Sequence, residues 1–364
     1  MYFTATARVD LAALRQNLAQ IRKLRPGMPI MAMVKANAYG HGLLPVAEAL
    51  ADADSLAVAR TESAAQLRDA GITQPIVLLE GVFDTVGLQA AAGLDCEVVV
   101  HTAEQLELLD QQPSASIGVV WVKLETGMHR LGFDPVELPA VLDKLAKMAQ
   151  VAEVRLMTHF ASADAPDGRS LRAQLSRFTA CSEAFTGAVS LANSAALFQS
   201  HASLTTAQPT AQQWLRPGIA LYGISPFAAK SAASLGLKPV MNFETRLIAV
   251  KTIDAGARVG YGGRFVAPQA MRIGIAAAGY GDGYPRMLPD GAPIVVDGQR
   301  CALVGRVSMD MLAIDLTAAP EATYGSIVQM WGDHLPAEEV ADSLGTIGYE
   351  LVTRVSERVR RDYQ

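Results

Sequence analysis

Apolar residues in this chain gather in short unbroken runs, separated by segments of helical spacing. Near the start, Asp10 is a credible N-cap, and Leu11, Leu14, Leu18, Ile21 and Leu24 follow at helical intervals until Pro26 ends the pattern. The runs are MPIMAMV, SLAVA, PIVLLE, CEVVV, IGVVWVKL, VRLMTHF, VSLANS and GIALYG, with helix-like stretches such as residues 103–109 and 139–148 between them. They are continuous rather than alternating, which suits parallel strands covered on both faces. Eight strands interleaved with helices predict an α/β fold, a (β/α)8 TIM-type barrel over residues 1–232. A doubly wound open sheet is the alternative, because periodicity does not distinguish a closed sheet from an open one.

The pattern then changes. MNFETRLIAVKTI, MRIGIAAAGYGDGYP, PIVVDGQRCALVGRVSMDMLAIDL and SIVQMWGD bring in alternation, and turn signals at Asp297-Gly298 and Gly281-Asp282-Gly283 separate them. This predicts a mostly-β domain over residues 233–364. A charged helix over residues 349–361, with Leu351 and Val355 on one face, is expected to close it.

With 364 residues and half of them apolar, the chain has enough material for two cores. A net charge of −5 gives no basic footprint for nucleic acid or an anionic membrane, so a small-molecule ligand is expected. Cys96, Cys181 and Cys301 lie far apart and match neither metal-ligand nor disulfide spacing, so they read as buried thiols in a reducing compartment. No basic segment leads an apolar one at the N-terminus, and no uncharged apolar stretch is long enough to span a bilayer. A cytoplasmic location is the expectation.

A barrel of this kind builds its active site where the strands end. Lys35 and Tyr39 follow the first run, Lys123 closes the fifth and leads to Arg130, and His159 ends the sixth. Asn193 and Ser194 end the seventh, while Arg216 and Gly218 precede the eighth. Two lysines, two arginines and a histidine on one rim make an anion-binding mouth. Lys35 alone reads either as a snorkelling surface lysine or as an amine desolvated enough to form a Schiff base. The second reading suits pyridoxal phosphate, which also needs a phosphate cradle, a partner for its ring nitrogen and a proton-transfer group. RPGIALYG offers the amides of Gly218 and Ile219 as a cradle, Ser194 and Tyr39 add hydroxyls, and Arg216 is available to the ring.

The block AMVKANAYGHG resembles the cofactor-lysine signature of bacterial alanine racemases. The likeness continues in the family's order through VWVKLETGMHRLGF, MTHFASAD, NSAAL, LRPGIALYG, VGYGGRF, AAAGYGDGYPR and VGRVSMDM, covering residues 33–311. It implies interconversion of L-alanine and D-alanine by two bases acting on a pyridoxal 5'-phosphate aldimine. Lys35 would be the cofactor lysine and one base, with Tyr261 the second, acting from the opposite face. In the family that tyrosine comes from the partner subunit, so the resemblance implies a homodimer with shared active sites. Met309 and Asp310 match substrate-side residues supplied in the same way. Arg130 matches the residue beside the phenol and the substrate carboxylate, and Lys123 a lysine that is commonly carbamylated, an anion that would hold Arg130.

Arg216 matches the residue facing the pyridine nitrogen, with His159 behind it. An arginine does not give up its proton, so that nitrogen would stay unprotonated and side reactions would be restrained. Tyr39, Ser194, Gly218, Ile219 and Tyr349 match phosphate contacts, Asn193 a neighbouring cofactor-site residue, and Tyr280 a residue at the mouth of the site. Two departures stand out: Phe265 where the family usually has tyrosine, and GDGYP where ADGYP is commoner. Neither removes a group with a named chemical role.

The sequence leaves three rivals: a decarboxylase on the same fold, a racemase of broader specificity, and a cofactor carrier without catalysis. The first lacks a convincing catalytic-cysteine context around Cys301, and the second tends to be exported. The third leaves Tyr261 and Met309 without purpose. Supply of D-alanine for peptidoglycan and its catabolism fit the sequence equally.

Overall fold

The computed structural model describes residues 3–199 and 212–364. After strand β1 (Thr6–Val9) and the helix Leu11–Leu24, eight short strands follow. They are β2 (Met31–Met33), β3 (Ser55–Val58), β4 (Ile76–Leu78), β5 (Cys96–Val100), β6 (Ile117–Lys123), β7 (Val151–Met157), β8 (Val189–Ser190) and β9 (Gln213–Trp214). All are parallel and pair in chain order. The ring closes where Ile30 bridges Leu215: Met31 N–H donates to the Leu215 carbonyl and Leu215 N–H to that of Pro29, both at 2.8 Å. Strands β2 to β5 are buried at every position, as continuous apolar runs require when helices such as Thr61–Asp69 and Thr85–Gly93 cover them. Asp10 caps the first helix as expected, its carboxylate accepting the Ala13 amide at 2.8 Å.

Two sequence expectations need correction here. GIALYG is not the eighth strand; that strand is β9, and Ile219–Tyr222 form one tight 3-10 turn. The run is apolar because all four of its residues are fully buried, not because it is extended. The expected helix over residues 349–361 stops at Thr353, and Arg360–Tyr363 form a final strand, β18.

The second sheet contains the long β10 (Met241–Ile253), then β13 (Met271–Ala276), β14 (Pro293–Val296), β15 (Gln299–Val304), β16 (Leu312–Asp315) and β17 (Ile327–Trp331). A small hairpin, β11 (Arg258–Val259) with β12 (Phe265–Val266), stands apart from it. The sheet order is β13-β16-β15-β14-β17-β10-β1-β18, and β10 also pairs with β13. Asp297 and Gly298 turn β14 into β15 with φ of 45° and 79°, the left-handed pair a two-residue hairpin needs. Strand β1 pairs antiparallel with β10 and parallel with β18, so residues 6–9 lie in this sheet although residues 1–232 were expected in the barrel. Alternation is invisible in four residues, and only long-range pairing decides where such a strand goes.

The segment after β2 positions the site. Ala36, Asn37, Ala38 and Tyr39 all have φ between 51° and 54°, one turn of left-handed helix. Such backbone costs about 1–2 kcal/mol per non-glycine residue and persists only where its surroundings over-determine it. Here Ala38 N–H donates to Val34 O at 2.9 Å, Gly40 N–H to Ala36 O at 3.0 Å, and the Asn37 side chain accepts Leu43 N–H at 2.8 Å. Gly40, with φ of 81°, ends the turn against the helix Gly348–Thr353, where a methyl group would collide with the Val352 carbonyl. Gly40→Ala should therefore lower stability by about 2–4 kcal/mol, read as a fall in the midpoint of denaturant unfolding.

Candidate active site

A cavity of about 620 Å³ opens at the C-terminal ends of the barrel strands. Lys35 and Tyr39 reach it from the left-handed turn, Lys123 from the end of β6, and Arg130 from the loop beyond. His159 follows β7, Asn193 and Ser194 follow β8, and Arg216, Gly218 and Ile219 follow β9. Tyr349 arrives from the helix Gly348–Thr353 of the second domain. Eleven sequence-predicted residues thus share one cavity. Tyr261, Met309 and Asp310 do not line it: they are exposed on the β domain, Tyr261 at 70% and Met309 at 53%. Asp310 pairs with Arg358 at 2.8 Å. Tyr280 lines a separate surface groove and not this cavity.

One side of the cavity is a cradle of donors. Ser194 Oγ accepts the amides of Gly218 at 2.9 Å and Ala220 at 3.3 Å, while the Ile219 amide between them has no backbone acceptor among the described residues. Asn193 caps the short helix Ser194–Leu197 through Ala196 N–H at 3.1 Å, and donates to Phe160 O at 3.2 Å. A Cβ on Gly218 would sit 2.5 Å from the Tyr39 hydroxyl, so only glycine leaves that space open. Tyr39 stacks on Tyr222 with ring centroids 4.8 Å apart, and Tyr222 donates to Met33 O at 2.8 Å. Burial raises Tyr39 above the usual phenol range, and burial with Asp164 pushes Tyr349 up to about 12, so both remain neutral donors.

Arg216 is buried and fixed by neutral acceptors. Its Nη1 donates to Ser190 Oγ at 2.6 Å, and Nη2 to Thr158 O at 2.5 Å and Leu191 O at 3.3 Å. His159, expected behind it, lies close enough to feel its charge but is not one of its hydrogen-bond partners. Burial, then Arg216, Lys123, Arg130 and Lys35, drive the His159 imidazolium down to about 2, so the ring is neutral. Lys35 makes no hydrogen bond or ion pair among the described residues, and burial, Arg130 and Arg216 pull it below the ordinary lysine range against the opposing pull of Glu80. Lys123 falls to about 8 through burial and the same cations. Beyond β6, Glu125 shapes the Arg130 loop, accepting the amides of Gly127, Met128 at 2.7 Å and Arg130 at 3.3 Å.

Sequence reasoning passed over Ser190, Thr158, Tyr222 and Glu125. The available signals were a serine inside an otherwise apolar run, VSLANS, and one carboxylate between the cations of KLETGMHR.

Family models give the same reading. The alanine racemase N-terminal domain matches residues 9–226, and the alanine racemase C-terminal domain matches residues 240–363. The chain belongs to the alanine racemase family. It is 46% identical over 361 residues to the alanine racemase of Aeromonas hydrophila, covering 99% of both chains. Against that of Nitrosomonas eutropha it is 46% identical over 362 residues, covering 99% of this chain and 98% of the other. Among solved structures, the biosynthetic alanine racemase from Pseudomonas aeruginosa superposes with a TM-score of 0.92 at 43% identity, over 100% of each chain. That from Acinetobacter baumannii gives 0.91 at 39% identity, over 99% of each. Membership implies pyridoxal 5'-phosphate as cofactor. The residues present fit it: an unpartnered lysine amine, a glycine cradle that a Cβ would fill, and an amide without a backbone acceptor. No helix among the described residues is long and apolar enough to cross a membrane.

Because the fold depresses Lys123 to about 8 from 10.5, it opposes folding while the ammonium is charged. That penalty is complete below pH 8 and fades as pH rises towards the unfolded lysine value. In carbon-dioxide-free buffer, cofactor-free Lys123→Met should melt higher than the parent chain at pH 7. The gap should close as pH climbs through 8 towards 10.5, measured by thermal unfolding across that range.

Proposed function

We propose that this chain interconverts L-alanine and D-alanine with Lys35 and the Tyr261 of a second copy as its two proton-transfer groups. Racemisation of alanine with pyridoxal phosphate is the reaction of its family. One observation carries the assignment of residues: Lys35 stands without a partner in the same cavity as the Ser194, Gly218 and Ile219 cradle. When bound through Lys35, pyridoxal phosphate supplies an electron-withdrawing ring that acidifies the Cα–H of alanine.

The chain's own residues supply the rest. Ser194, Tyr39, Tyr349 and the amides of Gly218 and Ile219 bind phosphate, and Asn193 holds Ser194 at the start of its helix. Arg216 has its two terminal nitrogens committed to Ser190, Thr158 and Leu191, leaving Nε as the donor for a ring nitrogen. A guanidinium there donates without surrendering its proton, which keeps that nitrogen unprotonated. His159 is a neutral wall of the site. Arg130 takes the alanine carboxylate.

Lys35 takes or returns the Cα proton on one face; burial and neighbouring cations favour its neutral form. Tyr261 serves the other face from a partner chain, with Met309 and Asp310 on the substrate side. All three are exposed in the single chain and available for that interface. Lys123, with a pKa of about 8, offers enough neutral amine near neutral pH to add carbon dioxide, forming a carbamate and releasing one proton. The resulting anion would hold Arg130. A homodimer in the cytoplasm completes the reading.

Incubation with L-alanine in deuterated water tests it, following optical rotation and Cα deuteration. Lys35→Ala and Tyr261→Phe should each slow racemisation by about 10²–10⁴-fold. Co-expressed in equal amounts, the two inactive chains should recover about one quarter of normal activity, because half the dimers are mixed and each contains one intact site. Full racemisation by Lys35→Ala, or no recovery from stable mixed dimers, would overturn the assignment.

A further inference from the structure

Arg130 and Arg216 leave the barrel from different strands, yet one hydrogen-bond network joins them through a residue that does not line the cavity. Gln174 sits on the helix Arg169–Cys181 and is 2% exposed. Its Oε1 accepts Ala161 N–H at 2.8 Å, and its Nε2 donates to His159 O at 3.0 Å and to Thr126 Oγ1 at 3.2 Å. Both N–H groups and the carbonyl oxygen are therefore used. Turning the amide over would set oxygen against oxygen at His159 and N–H against N–H at Ala161, so its orientation is fixed.

The direction of the protons follows. Thr158 Oγ1 donates to Leu124 O at 2.9 Å, so the 2.7 Å contact between the two threonines must have Thr126 as donor. Thr126 in turn accepts from Gln174. A one-way chain thus runs from Gln174 through Thr126 and Thr158 to Leu124. Thr158 is also the residue whose carbonyl holds Arg216 Nη2. Thr126 stands at the base of the Arg130 loop, next to Glu125, whose carboxylate gathers the amides of Gly127, Met128 and Arg130. Arg177, one helical turn on from Gln174, donates to Thr126 O at 2.9 Å. A Cβ on Gly127 would lie 3.1 Å from Gln174 Cγ, so helix and loop pack without slack.

We propose that Gln174 is a positioning residue for the reaction, holding the Arg130 loop in register with Arg216 through Thr126 and Thr158. This rests on the roles given above to Arg130 and Arg216. It goes beyond them in assigning the geometry between the two arginines to a buried amide on an outer helix. An apolar side chain of equal size would fill the same space and leave the hydroxyl chain without its first donor. The loop would then be free to take other registers, and a misplaced Arg130 would weaken its hold on the alanine carboxylate.

The test compares Gln174→Met and Gln174→Glu with the parent holoenzyme. Both should raise KM for alanine and lower kcat/KM by about tenfold or more, with cofactor content per chain, read from visible absorbance, unchanged. In an Arg130→Lys background, Gln174→Met should add much less than it does alone, because both changes act on one contact. Where Gln174→Met fails to fold, Thr126→Val against Thr126→Ser reads the same chain: valine should reproduce the KM effect, and serine, which keeps the hydroxyl, should rescue it. Normal kinetics for Gln174→Met beside an impaired Arg130→Lys would overturn the role of Gln174 alone, as would full additivity of the two. A normal KM for Arg130→Lys would instead overturn the carboxylate-binding assignment on which the proposal stands.

Discussion

Positive charge crowded into the mouth of the barrel is the constraint on which the rest of the structure depends. Lys35, Lys123, Arg130 and Arg216 share one cavity, and each lysine is pulled down by burial and by its cationic neighbours. Two like charges 4 Å apart repel by about 4 kcal/mol at the effective dielectric of a protein surface. Glu80 acts on Lys35 and Glu125 on Lys123, but neither carboxylate forms an ion pair with a cavity cation among the described residues. The site is therefore electrostatically incomplete. Anionic groups are what would complete it.

The fold keeps that deficit open by giving its cations neutral partners. Arg216 is satisfied by one hydroxyl and two carbonyls, so it is held rigidly while its charge is retained. Glu125 is occupied by three backbone amides of the loop it shapes. A carboxylate bonded directly to either arginine would have fixed it equally well, but would have cancelled the field that draws an anionic ligand. Elsewhere the chain pairs its charges freely: Arg358 bridges Asp282 and Asp310, and Arg264 meets Asp290 at 3.0 Å. The contrast separates structural arginines from those facing the cavity.

Much of this was legible in the sequence because strand ends in a parallel barrel converge by construction. Once the runs were read as strands, Lys35, Lys123, His159, Ser194 and Arg216 had to meet at one face. What escaped was set by contacts between segments far apart in the chain. GIALYG reads as a strand because full burial gives a tight turn the same apolar signature. Strand β1 carries too few residues to declare its sheet. The left-handed turn at residues 36–39 has no glycine before Gly40 to announce it, and is stabilised by Asn37, Val34 and the stacked Tyr222. Ser190 and Gln174 look like ordinary polar residues until the arginine and threonine they bond are beside them.

The same ionisation pattern narrows which of the cavity's basic and phenolic groups could carry a proton. A useful acid or base needs a pKa not far from the working pH. Of the cavity's phenols, Tyr39 and Tyr349 are pushed further from that range by burial, and His159 falls to about 2, too weak a base to accept a proton from carbon. The two lysines move towards neutrality, and Lys123 is 9% exposed at the end of β6, close to the charges of Arg130 and Arg216. Lys35 and Lys123 are therefore the cavity amines whose neutral forms burial and nearby cations favour. Tyr261, by contrast, is solvent-exposed in a glycine-rich turn of the β domain, outside this cavity.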